Sequence, residues 1–340
     1  MILDLNKKIV FRGDSQSQKS LNDFVTRFGD VDEIWGDHAV FWDFDLTTKI
    51  RTLPLLFLNE IYNFYNVDFT DPEKIQTNLI FNFMINKKLD HRYLTARLVE
   101  YFDLKHFDYT FSGSAINVDD TRILKDIKTI DPERITFTSD LMMEILGDIT
   151  LPPKFFLIEN FSDIAKEHGG IGSFGGVREA WKSGIDMIFN SSFISLITES
   201  DNGDYDKVTI ITEKTLFALI GLTVPIWPGG YRHAEGMQEM GFDVFADLID
   251  HSYQHESTMF MRCFRAFKDN LDILKDLQNA KSIRQKIMPR LLQNREHLFS
   301  PRLIDWYQTR INTWPCGSKP IRDFVFPYSN AYKHLNLAQQ

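Results

Sequence analysis

The chain predicts an α/β protein with a parallel, doubly wound sheet, divided between two domains. Three observations carry that expectation. Short apolar runs of strand type alternate with amphipathic stretches of helical length through the first 220 residues. The run Val224–Trp227 is apolar throughout and closed by Pro228-Gly229-Gly230, as suits a strand buried on both faces. At 340 residues the chain has the length of two domains of ordinary size.

In chain order, residues 1–40 are weakly patterned, with a short helix expected over Leu21–Phe28. Ala39–Leu46 reads as a strand, bulky apolar residues leading into alternation. Leu53–Tyr65 reads as an aromatic-rich helix, Asn78–Ile85 as a second strand, and Asp90–Phe102 as a helix with Leu94, Leu98 and Tyr101 on one side. Tyr109–Phe111 is a third strand, ended by Ser112-Gly113-Ser114, and Thr121–Ile130 suits a further helix. Gly147–Pro153 breaks both periodicities, which places a domain boundary there and gives domains of 1–150 and 151–299. Gly169–Gly176 is the richest glycine cluster. It fits neither a dinucleotide fingerprint nor a P-loop and reads as an interdomain loop or lid. Val177–Phe189 is a helix, Phe193–Thr198 a strand, and Asp201–Lys207 a polar loop. Thr258–Leu292 is largely helical.

Composition narrows the class. The chain is 43% hydrophobic and 14% aromatic, with 29 Phe, so it builds substantial cores. A formal net charge of −9 argues against a surface that coats nucleic acid. Two cysteines, Cys263 and Cys316, are too few for a disulfide framework or a cysteine-rich zinc site and suit a reduced, cytoplasmic setting. No stretch approaches the ~20 apolar residues of a membrane span, and the N-terminus lacks a signal peptide's apolar core. The sequence sets no oligomeric state.

The candidate site centres on Thr212–Ile220. Thr212 caps a helix whose Leu216, Leu219 and Ile220 form its apolar face and which stops at Gly221. A helix N-terminus presents free N–H groups and a partial positive charge to phosphate. Lys214 adds a full charge there, and Glu213 is an acceptor for paired sugar hydroxyls.

Thr212-Glu213-Lys214, the apolar helix, Gly221 and the Val224-Pro225 strand resemble the donor-binding motif of alpha-1,3-fucosyltransferases. The continuation Met237–Tyr253, with Gly241-Phe242 and Phe245, is more similar to a group of phage- and virus-encoded glycosyltransferases. The resemblance covers about Ser191–Tyr253, with a weaker match at Asn86–Arg92, where Lys87 replaces the group's arginine. It implies a GT-B type fold of two Rossmann-like domains facing each other across a cleft. The segment 300–340 would then return toward the N-terminal domain.

The resemblance also implies a nucleotide-sugar as donor substrate and no required cofactor or metal. Donor-binding residues would be Thr212, Glu213, Lys214, Thr215, Glu199, Arg92, Gly229 and Gly230. Lys214 would also act catalytically, on the leaving group. His91 and Arg92 would face the cleft, and His91, Asp43 or Asp45 would be candidates for the acceptor's proton.

The acceptor stays open between a modified DNA base, such as a hydroxymethyl pyrimidine, and a glycan or protein. For DNA there is one feature, a run of nine Lys or Arg against three Asp over Arg262–Arg295. Asp43-Phe44-Asp45 also permits a different enzyme, a Mg-dependent phosphatase of the haloacid dehalogenase type, with Asp43 as nucleophile and Asp45 as acid/base. A catalytically inactive nucleotide-sugar-binding protein is the third alternative. His233, His251 and His255 share no metal spacing; His233 reads as a cleft residue after the Pro-Gly-Gly loop.

Overall fold

A computed structural model describes the backbone of strands within residues 2–52, then residues 54, 57–58, 60–61, 64, 67–85, 89–111, 132–152, 178, 181–199 and 208–312. Asp43, Asp45, the helices expected at 21–28 and 121–130, Asn86–Lys88, the glycine cluster 169–176, the loop 201–207 and residues 313–340 lie outside them.

The architecture is α/β. Its first strands are β1 (Ile2–Leu5), β2 (Lys8–Phe11), β3 (Glu33–Gly36), β4 (Ala39–Phe41) and β5 (Lys49–Thr52). They form a sheet of order β1-β2-β3-β5, antiparallel at β1 and parallel thereafter, from which β4 is absent.

The central sheet begins at β6 (Leu79–Ile85), followed by α1 (Asp90–Tyr101) and β7 (Phe107–Phe111). Then come α2 (Pro132–Ile145), a π-helical turn at Trp181–Ile185, α3 (Asp186–Ser191) and β8 (Ser192–Leu196). β9 (Val208–Ile210) leads to α4 (Glu213–Ile220) and β10 (Val224–Ile226). The order is β10-β8-β6-β7, with every pairing parallel; Ile194 lies between Phe81 and Val224. Covered on both faces, these strands are apolar almost without interruption, and Ile80, Phe81, Phe83, Phe193, Ile194, Val224 and Ile226 are all buried. Phe81 stacks on Phe107 with ring centroids 5.2 Å apart, and Phe83 on Tyr109 at 5.4 Å, so part of the phenylalanine excess serves one aromatic layer across β6 and β7.

This sheet corrects the expected domain boundary. β6 and β7 come from residues assigned to 1–150, β8 and β10 from residues assigned to 151–299, yet β6 hydrogen-bonds to β8. Gly147–Pro153 breaks periodicity because the chain leaves α2 there. Gly147 takes a φ of 158°, and its carbonyl accepts the Tyr93 hydroxyl. The strands on either side of that break belong to one unit.

The remaining helices are α5 (His233–Glu239), α6 (Met259–Lys268), α7 (Leu271–Lys275), α8 (Leu277–His297) and α9 (Pro301–Asn312). α9 packs toward the N-terminal third. Leu303 and Tyr307 are buried in one cluster with Phe57, Leu58, Ile61 and Phe64, and the Tyr307 hydroxyl donates to the Pro54 carbonyl at 3.0 Å. β4 and β9 form a separate antiparallel pair, Ala39 opposite Ile210, which ties residues 39–41 to the strand that feeds α4.

Arg284 of α8 fastens the far end of α4. Its guanidinium donates to the carbonyls of Leu222 (3.1 Å), Gly221 (3.2 Å) and Asn190 (2.7 Å), and it is buried without a carboxylate among these acceptors. Burial pulls it down to about 9, so it stays charged at neutral pH. The partial negative charge at the C-terminal ends of α3 and α4 substitutes for a counter-ion.

Candidate functional site

Three segments meet at the carboxyl edge of the central sheet, where open α/β sheets bind ligands. They are the start of α1, the exit of β8 and the start of α4. α4 begins where the sequence predicts. Thr212 is extended, and its hydroxyl accepts the Lys214 N–H. Leu216, Leu219 and Ile220 are buried, as is the rest of the helix from Lys214 on, so α4 is a core helix with only its first residue half-exposed.

The two sequence-predicted clusters, His91-Arg92 and Thr212–Thr215, 120 residues apart in the chain, converge at Glu199. Its backbone carbonyl accepts Arg92 Nη2 at 2.9 Å and bonds His91 Nε2 at 3.1 Å; Arg92 Nη2 also donates to the Thr198 carbonyl at 3.1 Å. Its carboxylate accepts the Thr215 hydroxyl at 2.6 Å, the Thr212 N–H at 3.3 Å and the Thr212 hydroxyl. The Thr198 hydroxyl closes the arrangement onto β6 by donating to the Met84 carbonyl at 2.7 Å. His91 and Arg92, expected to face a cleft, are each 2% exposed. Glu199, Thr212 and Thr215, expected to contact a donor, bond to one another.

Lys214 is 8% exposed, and its ammonium pairs with the Glu213 carboxylate, whose side chain is 30% exposed. Burial pushes the Glu213 carboxyl up, but the Lys214 charge and hydrogen bond outweigh it and hold the group at about 2. Burial also pushes the Glu199 carboxyl up, against the pull of Lys214 and the two threonines. Burial, with the positive charges of Arg92 and Lys214 nearby, holds the His91 imidazole well below the usual histidine range. Two cations and a helix N-terminus thus share this edge with two carboxylates.

Gly229 and Gly230 follow β10. Gly229 has a φ of 76°, and a Cβ there would lie 3.0 Å from both Cys263 Sγ and His91 Cβ. At Gly230 a Cβ would meet Trp227 and His233. Both positions need glycine to fit against the site's own side chains. Arg262 of α6 is buried and holds the loop, with Nε donating to the Gly229 carbonyl at 3.0 Å.

Sequence reasoning passed over Trp227 as an ordinary strand residue. Its indole N–H donates to the Thr215 hydroxyl at 2.9 Å and its ring stacks on His233. The signal was a tryptophan at a strand exit, whose polar edge needs a partner once buried.

Of the nine cations at 262–295, Arg262 and Arg284 are buried on backbone carbonyls, Arg265 pairs with Glu256 and Asp269, and Arg290 pairs with Asp243 and Asp247, while Lys268, Lys275 and Lys286 are exposed. A cavity of about 610 Å³ beside α7 is lined by Asp247, Asp250, Asp269 and Asp272 and by none of the residues that meet at Glu199; those carboxylates disfavour an anionic ligand. Among the described residues no helix is long and apolar enough to cross a membrane, and no group of three or more His, Cys, Asp or Glu is placed to hold a metal ion.

No family model matches the chain, and neither curated proteins nor solved structures give a match.

His233 is expected to make the fold pH-sensitive. Its Nε2 bonds the Ile210 carbonyl at 2.8 Å, and burial, with Arg262 nearby, lowers it from 6.5 to about 4. A depressed histidine contributes stability that is present above its unfolded value and is lost as pH falls toward its folded value. Wild type is expected to lose about 2 kcal/mol through this residue between neutrality and about pH 5. His91 adds in the same direction, and Glu199, raised, opposes it. Urea denaturation at the two pH values checks this, with His233→Gln showing the shallower dependence.

Proposed function

We propose that the chain is a GT-B type glycosyltransferase that moves a sugar from a nucleotide-sugar donor to an acceptor. One observation carries the reading: His91-Arg92 and Thr212–Thr215, both singled out by the resemblance, come together on Glu199 at the carboxyl edge of a parallel sheet. Chance motif matches have no reason to share a hydrogen-bonded site.

In this reading the diphosphate docks at the start of α4. Lys214 leaves Glu213 for a phosphate oxygen and stabilises the charge that grows on the leaving group as the glycosidic bond breaks. The α4 N–H groups add their partial positive charge. Glu213, released, accepts from the two ribose hydroxyls. Arg92 adds positive potential from behind, since its guanidinium is turned to the β8 exit. The Pro228–Gly230 loop borders the site, held by Arg262.

A thermal-shift series with uridine and guanosine diphosphates and their sugar conjugates tests the reading. A ligand that binds only the native state raises the melting point, by about 2.7 kcal/mol of stabilisation at a hundred times its dissociation constant. At least one nucleoside diphosphate is expected to do so. Melting points unmoved by every member of the series would remove the proposal.

A further inference from the structure

Glu199 is the densest junction of the site, and its hydrogen bonds have a readable direction. The indole N–H of Trp227 is a donor only, so the Thr215 hydroxyl 2.9 Å away accepts from it and keeps its own proton for Glu199 Oε1 at 2.6 Å. The Thr212 hydroxyl accepts the Lys214 N–H and has its proton for Glu199 Oε2. The Thr212 N–H adds a third donor, at 3.3 Å. Three donors converge on one carboxyl group. A proton on Glu199 would turn one threonine hydroxyl from a donor to the carboxylate into an acceptor from it, and the carboxylate would lose one of its three donors.

We propose that Glu199 is a positioning residue. As a buried, ionised carboxylate it fixes the start of α4 through its side chain and the start of α1 through its backbone, and it sets the charge beneath the anion site without touching the ligand. This role rests on the nucleotide-sugar reading for its ligand. It departs from that reading in taking Glu199 away from the donor. Its negative charge offsets part of the potential of Lys214 and Arg92, so the empty site stays stable with two cations near one helix end. The same charge weakens whatever anion binds there.

The charge and the shape separate in two variants. Glu199→Gln keeps the outline and removes the charge; Thr215→Val keeps the charge and removes one donor. Inorganic pyrophosphate, titrated calorimetrically at low salt and mildly alkaline pH, is expected to bind Glu199→Gln roughly fivefold more tightly than wild type, as a buried like charge is removed from near an anion. The melting point of that variant is expected to fall at the same time. Thr215→Val is expected to melt earlier with a pyrophosphate affinity within about twofold of wild type, its charge being intact. Equal or weaker binding by Glu199→Gln overturns the inference, since a ligand contact or a purely structural role gives that result.

Wild type that binds no pyrophosphate argues against the nucleotide-sugar reading itself. The charge state then decides the inference, and does so too if Glu199→Gln fails to fold. In carbon-13-carboxyl glutamate-labelled wild type at neutral pH, the signal displaced by Thr215→Val is expected at the ionised position. The protonated position overturns the proposal.

Discussion

Arg284→Ala is expected to cost the fold about 3–5 kcal/mol, the scale of removing one partner from a buried charged network. The truncation leaves the carbonyls of Gly221, Leu222 and Asn190 without a donor in a place water does not reach, and each such group costs about 1–3 kcal/mol. It also unfastens α8 from the C-terminal ends of α3 and α4 at once. Arg284→Lys restores charge but not the planar fork that spans several carbonyls and is expected to recover only part of the loss. Chemical denaturation of the three proteins measures this. Wild-type stability in Arg284→Ala would show that the carbonyls find other partners.

Arg92 carries the second large effect, and in two currencies. Its Nη2 is bonded to the Thr198 and Glu199 carbonyls, so Arg92→Met is expected to lose about 2–4 kcal/mol of stability as two buried acceptors lose a donor. Through the charge it removes, nucleoside diphosphate affinity is expected to fall about tenfold or more. Arg92→Lys separates the two: it keeps the charge behind the site, but its ammonium is not held by a rigid guanidinium plane at the Nη2 position that bonds both carbonyls. Affinity near wild type with stability reduced is the expected outcome for lysine. Affinity unchanged in Arg92→Met would show that this cation does not act on the ligand.

What the sequence made legible was local. The Thr212 cap, the apolar spacing of Leu216, Leu219 and Ile220, and the stop at Gly221 are decided within a few residues, and α4 runs as that pattern dictates. β6, α1, β8 and β10 follow for the same reason, each shifted by a residue or two from its expected bounds. What escaped was non-local. A break such as Gly147–Pro153 looks the same whether it ends a domain or only a helix, and the difference lies in β6 pairing with β8 over a hundred residues away. The charge of Arg262 and Arg284 is visible in the sequence, but the carbonyls that absorb it are not, so these two looked like members of a surface run. Glu199, Thr212 and Thr215 all read as ligand contacts, because carboxylates and hydroxyls near an anion site serve either purpose; in the structure they bond to one another.

The central claim is that an activated sugar's diphosphate is held where α4 begins. Titration calorimetry of a nucleoside diphosphate into wild type and Lys214→Ala tests it most directly. Among the described residues, Lys214 is the cation at that helix start whose ammonium pairs with a carboxylate. Measurable binding by wild type and a loss of about thirtyfold or more in Lys214→Ala, titrated below its melting point, which falls as Glu213 loses its partner, is the predicted result, on the scale of one charge-assisted hydrogen bond in a partly desolvated site. Equal affinity in the two proteins, or no binding by wild type, would contradict it.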